Sequence, residues 1–119
     1  LELIGGLANL QVLYLDSNQI SKIEGLDKLT SLQRLYLNDN QITKIEGLDN
    51  LTNLQGLYLG WNQITDGTPL EALLLNQKKA GKPILDISLE GNFYPPQALS
   101  IEVIKEGSEA FLEWAEENR

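Results

Sequence analysis

The side chains best equipped to do chemistry in this chain are carboxylates and phenols, because its 119 residues include no Cys and no His. Thiol nucleophiles, disulfides, imidazole bases and the usual zinc ligand sets are thereby excluded. What recurs at regular spacing is Tyr14, Tyr36 and Tyr58, accompanied by Asp16, Asp39, Asp86 and Glu90, with Trp61 just after the third tyrosine. A pair of those acids could hydrolyse a glycosidic bond, and a cluster could hold a hard cation such as calcium. The ordinary use of such acids is a solvated rim, so the expectation is no enzyme, no cofactor and no metal site. Aligned phenols and an indole offer something else. They are large, rigid and amphipathic and lose little rotamer entropy on contact, as protein-binding hot spots do.

Charge narrows the partner further. The formal net charge is −8 and the pI about 4.4, which disfavours phosphate backbones and anionic membrane surfaces, so neither nucleic acid nor membrane is expected. Residues 1–67 carry 8 acids and 4 bases, residues 68–100 carry 3 and 3, and residues 101–119 carry 6 and 2. The dense acidic stretch at the end reads as the solvated face of an amphipathic helix. No run approaches the roughly 18 apolar residues of a membrane span, and LELIGGLANL lacks the basic start of a signal peptide. With no Cys for disulfide-bonded end caps, a cytoplasmic location is expected.

The spacing of the tyrosines is the period of the whole chain. Residues 7–28, LANLQVLYLDSNQISKIEGLDK, and residues 29–50, LTSLQRLYLNDNQITKIEGLDN, are identical at 15 of 22 positions, and residues 51–67 match the second unit at 11 of 17. Such internal repetition signals a solenoid in which each unit buries its apolar side against the next. Within each unit L-x-x-L-x-L-x-x-N recurs: Leu10, Leu13, Leu15 and Asn18; Leu32, Leu35, Leu37 and Asn40; Leu54, Leu57, Leu59 and Asn62. Leu13-Tyr14-Leu15 alternates with period 2, as a short half-buried strand must. Asn18, Asn40, Asn62 and Asn92 fall where the chain leaves each strand, and an amide there can pair turn backbone groups that would otherwise be buried alone. Ile20, Ile23 and Leu26, then Ile42, Ile45 and Leu48, return the chain and close the core.

A fourth strand follows at Ile84, Ile87, Leu89 and Asn92, but 30 residues separate Asn62 from Asn92. The extra eight fall in TPLEALLLNQKKAGK, where Thr68 suits an N-cap, Pro69 the first turn, Glu71 a capping box and Gly81 the end of a helix. Leu70, Leu73, Leu74 and Ala80 are expected to face inward. Pro95-Pro96 then marks the exit from the repeats, and SIEVIKEGSEAFLEWAEENR reads as a helical C-terminal cap that lays Phe111 and Leu112 on the last rung. At the other end, Leu1-Glu2-Leu3-Ile4 aligns with Ile23-Glu24-Gly25-Leu26, a repeat without its strand. The chain therefore reads as a fragment whose open N-terminal edge could self-associate.

These units resemble the leucine-rich-repeat family. NQITKIEGL is similar to the 22-residue class found in a regulatory subunit of a protein phosphatase and in bacterial internalins. The tail, through Pro95-Pro96, Ile101, Gly107, Ala110, Phe111, Leu112 and Trp114, resembles the end of the repeat domain in bacterial Roco-type proteins, where a Ras-like GTPase domain follows. Phe93 and Tyr94 depart from that pattern, and no phosphate-binding G-K-S/T loop occurs in the chain. The resemblance implies an α/β solenoid with short parallel concave strands and an irregular or helical convex side. Its repeats would span residues 1–92 (a partial unit 1–6, units 7–28, 29–50 and 51–80, and a last strand 84–92), with a helical cap over 93–119. It also implies that residues between the strand leucines line the concave face in columns: Tyr14, Tyr36, Tyr58 and Ser88; Asp16, Asn38, Gly60 and Glu90; Ser17, Asp39, Trp61 and Gly91; Val12, Arg34, Gly56 and Asp86. The expected function is a protein-interaction scaffold within a larger bacterial signalling protein. It would act through Tyr14, Tyr36, Tyr58, Trp61, Arg34, Asp39 and Asp86 on a protein partner or a neighbouring domain. A phosphatase-regulator role, cation binding and a purely structural spacer are the alternatives.

Overall fold

The computed structural model describes residues 7–67, 69–82 and 86–92. Four strands, β1 (Val12–Tyr14), β2 (Arg34–Tyr36), β3 (Gly56–Tyr58) and β4 (Asp86–Ser88), form one parallel sheet in the order β1-β2-β3-β4. Each pair is in the register that the repeat dictates: Leu13 opposite Leu35, Leu35 opposite Leu57, Leu57 opposite Ile87. The ladder runs past the strand ends, since Leu15, Leu37 and Leu59 donate their N–H to the carbonyls of Tyr36, Tyr58 and Ser88, each at 2.8 Å.

One apolar column fills the solenoid. Leu32, Leu35, Leu37, Leu51, Leu57 and Leu59 are fully buried from the strand side, and Ile23, Leu26, Ile42, Ile45 and Leu48 close on them from the return segments. Burying each such side chain favours folding by roughly 1.5–3 kcal/mol. The β1 rung is less covered: Leu10, Leu13 and Leu15 are only partly buried and Leu7 is exposed.

The eight-residue insertion becomes α1 (Pro69–Lys79) on the convex side. Proline stands at its first position, where a missing N–H costs nothing. The helix stops in a Schellman turn, with Gly81 at φ 69°, Gly81 N–H donating to Lys78 O and Lys82 N–H to Gln77 O. Leu70 and Leu74 are buried and Leu73 half-buried. Ala80 is exposed, against expectation, because the helix has already ended at Lys79. Its place on the inner face goes to Gln77, one turn beyond Leu74, which is buried with its Nε2 donating to Leu54 O at 3.0 Å.

Thr68, the Glu71 side chain, the partial unit 1–6, Ile84 and the cap over 93–119 lie outside the described residues. Among the described residues no helix is long and apolar enough to cross a membrane.

Candidate functional site on the concave face

The parallel register places Tyr14, Tyr36 and Tyr58 directly opposite one another, and their rings stack. Centroids are 4.4 Å apart between Tyr14 and Tyr36 and 4.5 Å between Tyr36 and Tyr58, with interplanar angles of 13° and 11°. Such spacing matches the strand separation of about 4.8 Å, so the backbone sets the stack. Tyr14 remains 69% exposed and Tyr36 and Tyr58 are half-buried, leaving a continuous strip of phenol edge facing solvent.

The stack ends at β4, where the column holds Ser88. Tyr58 turns instead toward Asp86, and its hydroxyl donates to Asp86 Oδ2 at 2.9 Å. Gly56 makes this possible: a Cβ there would stand 2.6 Å from the Tyr58 hydroxyl oxygen. Burial, this hydrogen bond and the Asp86 charge together push the Tyr58 phenol up from 10.0 to about 12. Arg34 pulls weakly the other way from the same column as Gly56, and it is exposed.

Beyond the strip the chain turns through a left-handed residue in every repeat. Ser17, Asp39 and Trp61 have φ of 57°, 58° and 57°, and Gly91 has 73°. This conformation suits glycine and is tolerated by Asp, but for a bulky ring it is an outlier. Trp61 nevertheless occupies it and is 61% exposed, its ring resting on Gly91. Asp39 therefore sits at a corner of the face, exposed, with its own N–H donating to Gly60 O at 3.0 Å.

Two polar ladders hold the turns. Asn40 Nδ2 donates to the carbonyls of Leu15, Leu37 and Asn38, while its Oδ1 accepts from the N–H of Asn18 and Ile20. Asn62 and Asn92 repeat the pattern, bonding Leu37 O and Leu59 O of the preceding rung and accepting from Ile42 and Ile64. Among the described residues the Asn18 side chain reaches only its own turn, through Leu15 O and Asp16 O. The second ladder was not anticipated: Asp16 Oδ1 accepts from Asn38 N–H at 2.8 Å, and Asn38 Oδ1 from Gly60 N–H at 2.7 Å. A small polar acceptor at that position in two successive repeats was the available signal. Asp16 and Asp86 are thus engaged within the rungs, and among the described residues no three acidic side chains gather where a metal ion could be held.

Two overlapping matches to the model for leucine-rich repeats (2 copies), over residues 8–50 and 30–73, place the chain in the leucine-rich-repeat family. The chain is a repeat domain of the kind that generally serves as a non-catalytic protein-binding scaffold. Among solved structures it is similar to internalin C2 from Listeria monocytogenes, with 38% identity and a TM-score of 0.66, over 80% of this chain and 38% of that one. It is also similar to an internalin, InlF, from the same organism, with 27% identity and a TM-score of 0.69, over 83% of this chain and 27% of that one. The chain thus spans well under half the length of either. No curated protein matches it.

Proposed function

We propose that the concave strip of Tyr14, Tyr36, Tyr58 and Trp61, flanked by Arg34, Asp39 and Asp86, receives a segment of a protein partner or of a neighbouring domain. The observation that carries this is Trp61, an exposed indole held at φ 57° where the other repeats place Ser, Asp and Gly. Strain at an exposed residue that adds little to the core has its simplest explanation in contact with something else. The acidic surroundings favour a partner segment with Lys or Arg. Four rungs present only a few hundred Å², less than the roughly 800 Å² per partner of a standard interface, so this stretch alone suits a short segment.

Peptide display against the immobilised chain tests the reading. Selected sequences should be rich in basic residues and should lose binding to Trp61→Ala. Peptides that bind Trp61→Ala equally well would move the site elsewhere. A role within a Roco-type signalling protein rests on the tail residues Pro95, Pro96, Gly107 and Trp114, and a GTPase domain after Arg119 in the reading frame would support it.

A further inference from the structure

Among the described residues β1 has no strand on its outer side. Backbone N–H and C=O groups point to alternate sides along a strand, and those of Gln11 and Leu15 are the ones turned to β2: Gln11 O accepts from Arg34 N–H and Leu15 N–H donates to Tyr36 O. The N–H and C=O of Val12 and Tyr14 therefore point out of the sheet. The apolar rung behind them is open as well. Leu10, Leu13, Leu15 and Ile20 are only partly buried, whereas Leu32, Leu35, Leu37 and Ile42, their equivalents one repeat on, are fully buried. Such an edge is a template for another strand.

The edge is complementary to a copy of itself turned end for end. With Leu13 opposite the partner's Leu13, Val12 and Tyr14 stand opposite the partner's Tyr14 and Val12, and each of these two pairs exchanges both N–H···O bonds in an antiparallel ladder. Every outward backbone group of Val12 and Tyr14 is thereby used. The rings meet in the same register. Tyr58 leans back over Gly56, its hydroxyl oxygen 2.6 Å and its Cζ 3.0 Å from where a Cβ at residue 56 would stand. Tyr36 and Tyr14 stack nearly parallel on it, so the Tyr14 ring leans toward Val12 and lies level with Leu13, through which the two-fold axis passes. Tyr14 is 69% exposed and stacks on Tyr36 by one face. Its other face meets the partner's Tyr14 across one strand spacing of about 4.8 Å. Charge does not oppose the pairing: Asp16 falls opposite the partner's Leu10, which leaves the two Asp16 carboxylates roughly 20 Å apart at about 3.3 Å per residue, well beyond the screening length of about 8–10 Å.

We propose that two copies of the chain join through β1 in this antiparallel register, forming a two-fold dimer with one eight-stranded sheet, one continuous apolar column and a stack of six tyrosines. One short strand and one rung end from each copy make a small interface, so a dissociation constant on the order of 100 µM is expected. Analytical ultracentrifugation of the full 119-residue chain, from about 1 µM to about 1 mM, tests this. Monomer should give way to dimer as concentration rises, with no larger species, because a two-fold interface closes on itself. Val12→Pro removes a donor that points out of the sheet, a change that edge strands tolerate. It should fold and should weaken dimerisation about tenfold or more, since two hydrogen bonds are lost per dimer. Tyr14→Glu sets two carboxylates face to face across the axis and should weaken it by a similar factor, which keeps the test decisive should Val12→Pro not fold. A chain that stays monomeric throughout, or a dimerisation constant unchanged in the folded variants, would overturn the proposal. So would species that grow beyond the dimer, which would assign the edge to head-to-tail stacking instead.

Discussion

The Trp61 indole lies on Gly91 so closely that a Cβ at residue 91 would stand 2.6 Å from Trp61 Cδ2, and both residues hold positive φ. The glycine thus serves its own turn and the ring of the neighbouring repeat together. Gly91→Ala should cost about 1–2 kcal/mol, from the left-handed backbone and from displacement of the ring. Trp61→Asn should fold at least as stably as wild type, because Asn tolerates this conformation and the exposed ring contributes little burial. Urea denaturation of both variants checks this, and a marked loss of stability in Trp61→Asn would make the indole structural.

The asparagine ladder predicts graded costs. Asn40→Ala strips the Asn18 and Ile20 N–H groups of the acceptor they share and takes one of two donors from the carbonyls of Leu15, Leu37 and Asn38, and should cost about 1–3 kcal/mol. Asn18 is exposed and, among the described residues, its side chain bonds only its own turn, so Asn18→Ala should cost well under half as much, water replacing the lost bonds. Equal denaturation midpoints for the two variants would remove the ladder's role.

Tyr58 predicts a pH dependence. Its phenol is raised to about 12 in the folded protein from 10.0, so above pH 10 the unfolded chain releases a proton that the folded chain retains. Stability from this residue is therefore complete below pH 10 and lost as pH climbs through 12. Tyrosinate absorbance should show a late-titrating phenol, Tyr58, that moves toward the ordinary value in Asp86→Asn. A titration unchanged by Asp86→Asn would show that the bond to Asp86 does not hold the proton.

Much of the architecture was legible because the 22-residue period constrains every rung at once. A strand, an asparagine and a return segment recur with it, and the eight extra residues announced their helix through Pro69 and Gly81. Features that depend on a missing side chain were not legible. Tyr58 meets Asp86 across Gly56, and Trp61 settles on Gly91, yet neither glycine advertises what it makes room for. The left-handed corner was partly visible in Ser17, Asp39 and Gly91, all turn-forming types, but Trp61 concealed it. Gln77 was hidden for the opposite reason: a polar residue on the inner face of α1 breaks the apolar pattern that was expected to continue to Ala80.

The central claim is that the concave aromatic strip binds protein, and the most direct measurement is calorimetric titration of a display-selected peptide into four forms of the chain. These are wild type, Tyr36→Ala, Trp61→Ala and a convex-face control, Asn76→Ala, each first shown to be folded by circular dichroism. The account predicts that Tyr36→Ala and Trp61→Ala each lose more than about 1 kcal/mol of binding free energy while Asn76→Ala binds as wild type. Unchanged affinity in both concave variants, with loss in Asn76→Ala, would contradict it.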